Sequence, residues 1–189
     1  ALSLHMADWP DNVEHTIELL TRREQQMFEI AYRSPAPFVD IPDNITAPAI
    51  GPARFRKYCA PLYDELAGML AERGAPLFVH MDGMLKPLWD DISRSLIGGL
   101  DSFSPAPECD TTVAEAVALW PDKRLWVNFP SSAHLQPPDQ IRATAEEILA
   151  IAGRTGSLQI QISENVPLHA WRTSFPIIAD AIEAFGAPC

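Results

Sequence analysis

Basic residues, cysteines and long apolar runs are all scarce in this sequence, and each shortage narrows what the chain can do. Lys and Arg number 14 against 25 Asp and Glu, for a formal net charge of −11. Such a surface is a poor match for nucleic acid or an anionic membrane, and its plain meaning is good solvation. The three cysteines, Cys59, Cys109 and Cys189, are scattered and form no CxxC pair. No disulfide framework is in view, and a reducing cytoplasm is the expected compartment. No apolar stretch approaches the ~20 residues of a spanning helix. The opening ALSLHMADWPDN lacks the basic head and long apolar core of a signal peptide. Neither GxGxxG nor GxxxxGK[ST] occurs, so both nucleotide fingerprints are missing. No GxSxG elbow frames a serine, and no short internal repeat is present.

What is present is an alternation. The 189 residues, 47% of them hydrophobic, suffice for one well-buried domain, with residues 1–34 as an N-terminal helical segment. Helical spacing runs over 10–32, 52–73, 85–96 and 172–185, with Pro61 expected to kink or split the second of these. Thr112 and Glu115 form a capping-box pair opening another helix, and Pro137, Pro138 and Asp139 open one that Gly153 ends. Strand character falls in PFVDI (37–41), LFVHM (77–81), LDSF (100–103), LWVNF (125–129) and LQIQI (158–162). Strands alternating with helices predict a parallel α/β sheet with right-handed connections. An open doubly wound sheet and part of a (β/α)8 TIM barrel compete. The Gln159/Gln161 alternation favours the barrel, whose interior can be partly polar.

The order of several segments resembles the uroporphyrinogen decarboxylase superfamily, which includes zinc- and corrinoid-linked methyltransferases. The segments are DNITAPAIGPARFRKYCAPLYDEL, PLFVHMDG, GLDSFSPAP, DKRLWVNFPSSAHLQPPDQIRATAEEIL and ISENVPLHAWRTSFPIIADAIEAFG. The resemblance implies that the strands here match the last five of an eight-strand barrel. The first three units would then be missing, or a second copy would cover the open edges, so a homo-oligomer is expected. The decarboxylase's arginine-bearing N-terminal part has no counterpart, which argues against porphyrinogen decarboxylation. On the methyltransferase side, His80 matches a metal-binding histidine, while Asp82 and Glu164 stand where that branch carries cysteines.

In such a barrel chemistry gathers at the C-terminal strand ends. The polar residues there are Asp43, Asn44, His80, Asp82, Ser102, Ser104, Asn128, Ser131, Glu164 and Asn165. Strand alternation puts Phe78, His80 and Asp82 on one face, so His80 and Asp82 can work as acid and base. With Glu164 they would offer one nitrogen and two carboxylates to a divalent metal, zinc foremost. The competing reading is a hydrogen-bonded histidine followed by an ordinary Asp-Gly turn. Asp43, Asn44, Asn128, Ser131, His134 and Asn165 are candidate substrate contacts, against the simpler reading of satisfied loops. Cys109 has no surroundings that lower a thiol pKa. The function expected is transfer of a methyl or other one-carbon group from a small substrate, with corrinoid reaching the site only through a partner or a missing domain. A metal-free lyase using His80 and Asp82, or a non-catalytic half-barrel assembly module, are the alternatives.

Overall fold

A computed structural model describes residues 2–162 and 166–186 of the chain. Two helices come first, α1 (Leu2–Asp8) and the long α2 (Pro10–Arg33). Then follow β1 (Val39–Ile41), α3 (Ala47–Arg54), α4 (Ala60–Ala71), β2 (Leu77–His80), α5 (Trp89–Arg94) and β3 (Gly99–Phe103). The chain continues through α6 (Val113–Leu119), β4 (Arg124–Phe129), α7 (Pro138–Ala152), β5 (Leu158–Ile162) and α8 (Trp171–Phe185). The helix expected over 52–73 runs as helical backbone to Ala71 and is widened, not split, by a π turn at Phe55–Cys59 just before Pro61; the non-helical break lies ahead of it at Gly51, at φ 66°. Pro61 follows that turn inside the helical run, where it has no N–H to give the preceding turn. Thr112 and Glu115 form the full capping box. Among the described residues no helix is long and apolar enough to cross a membrane.

All five strands are parallel and lie in sequence order, β1-β2-β3-β4-β5. That order decides between the two candidate architectures. A doubly wound sheet reverses direction partway and needs helices on both faces. Right-handed crossovers that never reverse lay every helix on one face, as in a barrel wall. Accordingly Leu77, Val79, Met81, Leu100, Phe103, Leu125, Val127 and Phe129 are buried against helical residues such as Leu70, Leu88, Ile92, Ala116, Trp120, Ala145 and Ile178.

The opposite, inner face is built in two layers. The lower one is aromatic. Phe78 of β2 stacks on Trp126 of β4 with centroids 4.1 Å apart, and Phe38 meets Trp126 edge-on at 5.1 Å. The two stacked rings belong to strands separated by β3, and they meet because β3 contributes Gly99 at that level. A Cβ there would lie 2.4 Å from the Phe78 ring and 2.6 Å from the Arg124 carbonyl. The upper layer is polar and forms the candidate site.

His134, expected among the substrate contacts, is elsewhere. It lies in the 3-10 turn Ser131–Leu135 after β4, 3% exposed, with its ring near Phe129 and Phe175. Its Nδ1 pairs with the Ser174 hydroxyl at 2.8 Å, so it fastens that turn to α8. Burial pushes its pKa below the usual imidazole value, with Glu108 opposing.

Gly99→Ala should cost about 1–3 kcal/mol in urea unfolding, because the Arg124 carbonyl is backbone and cannot step aside. A cost of only a few tenths would mean that the stacked pair does not depend on the gap. For His134 the sign follows from its lowered pKa. Below about pH 6.5 the unfolded chain takes up a proton that the folded protein resists, so stability falls as pH drops through that value. Urea unfolding across pH 7.5 to 5 should show that fall in the native protein and a flatter curve in His134→Gln. Parallel curves would remove His134 from the explanation.

Candidate functional site

The polar layer starts from an irregularity in β3. Leu100 pairs with Leu125, but Phe103 pairs with Val127, so β3 spends one residue more than β4 over this stretch. This is a β-bulge, and Ser102 takes up the slack at φ 55°. Strict alternation would put Asp101 and Phe103 on the same face. The bulge separates them: Phe103 joins the helix-side core, while Asp101 stays on the inner face.

Asp101 is paired with His80 in the β2–β3 register. Its Oδ2 lies 2.7 Å from His80 Nδ1. A carboxylate can only accept, so Nδ1 carries a proton, and in the neutral ring Nε2 keeps its lone pair. That lone pair faces a cleft of about 810 Å³ at the C-terminal ends of the strands. The His80 side chain is 20% exposed and that of Asp101 8%, an orienting carboxylate beneath a reachable imidazole. The Asp82 carboxylate stands 3.6 Å from Nε2 and is 43% exposed.

Asp101 Oδ1 accepts from Gln161 Nε2 at 2.8 Å, and Gln161 Oε1 accepts from the Ser102 N–H at 3.1 Å. Asn128 Nδ2 donates to the Ser102 carbonyl and to Ser104 Oγ, both at 3.1 Å. The turn carrying Asp82 is held by close packing, since a Cβ on Gly83 would fall 2.2 Å from the Thr46 Cβ. Cys109 donates its thiol to the Asp82 carbonyl at 3.3 Å. Burial first, then Asp110, Asp82 and Glu108, push that thiol's pKa up, so the protonated form that makes this bond is favoured. Below His80, the Asp40 carboxyl on β1 is raised to about 6 by burial, with Asp101 and Asp43 adding and His80 opposing.

The structure thus brings His80, Asp82, Asn44, Asn128 and Ser131 to one cleft, together with Ser102, Ser104, Glu108 and Cys109. Asp43 instead accepts a 2.7 Å hydrogen bond from Tyr63 of α4, which ties the loop after β1 to the helix layer. Glu164 and Asn165 lie outside the described residues. Two residues central to the site were not singled out from sequence. Asp101 was hidden by the bulge, because strict alternation puts it on the same face as the apolar Phe103. Gln161 was noticed only as part of an alternation, although a polar residue on the inner face at a strand's C-terminal end was the available signal.

The metal expectation can be set against the donors present. His80 Nε2 and Asp82 Oδ2 could share an ion, but among the described residues no group of three His, Cys, Asp or Glu side chains could hold one. The third ligand expected for catalytic zinc, Glu164, lies outside the described residues.

No family model matches the sequence, and no curated protein matches it. Among solved structures the fold is similar to a methyltransferase from Methanosarcina mazei, with a TM-score of 0.66 and 18% identity. The match covers 94% of this chain and 52% of that one, so the chain spans about half the length of that structure. At this identity the likeness is one of fold: a run of parallel β/α units matching part of a larger α/β protein.

Proposed function

We propose that the chain carries one wall of a methyltransferase-like enzyme of the uroporphyrinogen decarboxylase superfamily, acting on a small polar molecule. The observation that supports this reading best is the buried Asp101 under His80, with Nδ1 engaged at 2.7 Å and Nε2 turned into the cleft. In transfer of a methyl group to an O–H, N–H or S–H acceptor, the new bond to carbon forms as the bond to the donor breaks, and the acceptor loses its proton. His80 Nε2 takes that proton, and Asp101 stabilises the resulting imidazolium. Asn44, Asn128 and Ser131 offer hydrogen bonds that orient the acceptor. The methyl donor is expected to arrive as a methylated corrinoid on a partner protein.

The concave face is expected to be completed by further β/α units or by a second copy. β1 and β5 each have one neighbour in the sheet, and the stacked Phe78–Trp126 pair lies on the face away from the helices. The 24-residue α2 buries Phe28 while leaving Leu19, Leu20, Met27 and Ile30 50–63% exposed. Residues of that length and apolarity fit a covered helix better than a solvated one.

A second reading is favoured by the 3.6 Å approach of His80 Nε2 to Asp82 Oδ2, which suits a shared metal if Glu164 completes the set.

Incubation with methylcobalamin and a panel of small thiols, amines and alcohols tests the first reading. Demethylation that depends on protein and acceptor, and that falls by on the order of 10²-fold or more in His80→Gln, is expected. Protein-dependent turnover indifferent to His80→Gln, or none with any acceptor, would overturn it. Elemental analysis of the native protein and His80→Ala separates the second reading: about one equivalent of zinc, iron or manganese, lost in the variant, would put a metal in place of the free base.

A further inference from the structure

We propose that Gln161 is a positioning residue. From the edge strand β5 it locks the Asp101 carboxylate in the rotamer that keeps the His80 ring protonated on Nδ1 and open on Nε2. The inference rests on the reading of His80 as the proton acceptor, and it extends that reading to a residue 81 positions away in sequence.

The geometry leaves Gln161 little freedom. Its amide bridges two groups of opposite character, accepting from the Ser102 N–H at 3.1 Å and donating to Asp101 Oδ1 at 2.8 Å. Flipping the amide would set its NH2 against the Ser102 N–H and its oxygen against the carboxylate. Both contacts would be lost together, so one orientation is selected. The Ser102 N–H points there because the bulge holds Ser102 at φ 55°. Asp101, for its part, has an acceptor oxygen on each side and both are used, one by Gln161 and one by His80. A carboxylate pinned at both oxygens cannot rotate about its χ2 without losing a bond on each side. Rotation is what would release Nδ1 and let the ring proton move to Nε2, closing the lone pair that faces the cleft.

Two substitutions separate this role from simple filling. Gln161→Leu keeps much of the volume but removes both hydrogen bonds. Gln161→Glu keeps the acceptor for Ser102, and when protonated it also supplies a donor to Asp101, imitating glutamine. When ionised it would put a second carboxylate about 2.8 Å from Asp101, where like charges oppose each other. Its proton is therefore held to a higher pH than an ordinary glutamate's, and the pair titrates as a unit.

The test is the nitrogen-15 spectrum of the His80 ring in the native protein and both variants, followed with pH, with unfolding curves as the control for folding. In the native protein Nδ1 should show a bound proton and Nε2 a lone pair throughout the range where the ring is neutral. Gln161→Leu should shift population toward the Nε2-protonated ring. Gln161→Glu should add a pH-dependent step to the ring signals beyond those that the facing Asp40, Asp82 and Asp101 carboxyls impose on the native protein and on Gln161→Leu. Ring signals that superimpose on native in both folded variants would overturn the proposal, as would a Gln161→Glu spectrum with no added step. Because the readout is the ring and not turnover, it separates two failures. Absent methyl transfer with the ring changes intact removes the reaction and keeps the positioning role. Turnover that depends on His80 with an unchanged ring in both variants removes the positioning role and keeps the reaction.

Discussion

The bulge at Asp101–Ser102 is the constraint on which the rest of the inner face depends. A left-handed serine costs on the order of 1–2 kcal/mol, and the bulge takes the Ser102 N–H and carbonyl out of regular pairing. Both groups are satisfied by side chains of other strands, the N–H by Gln161 of β5 and the carbonyl by Asn128 of the adjacent β4. A buried polar group left unpaired would cost more than the strain itself, so polar side chains at these positions of β4 and β5 follow from the distortion of β3. The same extra residue returns Phe103 to the helix-side core and leaves Asp101 facing the cleft. One local departure from regular pairing thereby supplies the orienting carboxylate, the bridging amide and the polar lining together.

Beneath that layer the aromatic one provides a floor. Phe78 and Trp126 close over the gap at Gly99, and Asp101 sits two residues further along the same strand. The apolar layer lies directly under the polar one on the inner face, with Phe78 itself only 2% exposed. His80 thus stands between an aromatic layer and an open cleft. A proton acceptor needs that arrangement: an oriented ring with one nitrogen engaged below and the other reachable from above.

The fold was legible because its signals are long and redundant. Five strand-like runs separated by helical periodicity specify parallel β/α units, and the Gln159/Gln161 alternation pointed to a barrel-type inner face before the strand order was known. Local irregularities were harder to read. The π turn at Phe55–Cys59 carries no motif of its own, although Pro61, the visible breaker, stands directly after it. At the site, His80 and Asp82 were found because LFVHMDG obeys strict alternation, whereas GLDSF does not. A bulge depends on which residue opposes which across two strands, information that lies outside any single segment. For the same reason His134 looked like a mouth residue in its linear setting, although its partners, Ser174 and Phe175, lie on α8 some forty residues later.

The pairing of Asp101 with His80 Nδ1 can be examined directly by proton NMR of the native protein, with the imidazole nitrogens labelled and the His80 signals assigned through His80→Gln. A ring proton bonded to Nδ1, shifted downfield and protected from exchange with water, that disappears in a folded Asp101→Ala protein is the expected result. A His80 proton residing on Nε2, or one on Nδ1 that is unaffected by Asp101→Ala, would contradict the bulge-built site and the proton-accepting role that rests on it.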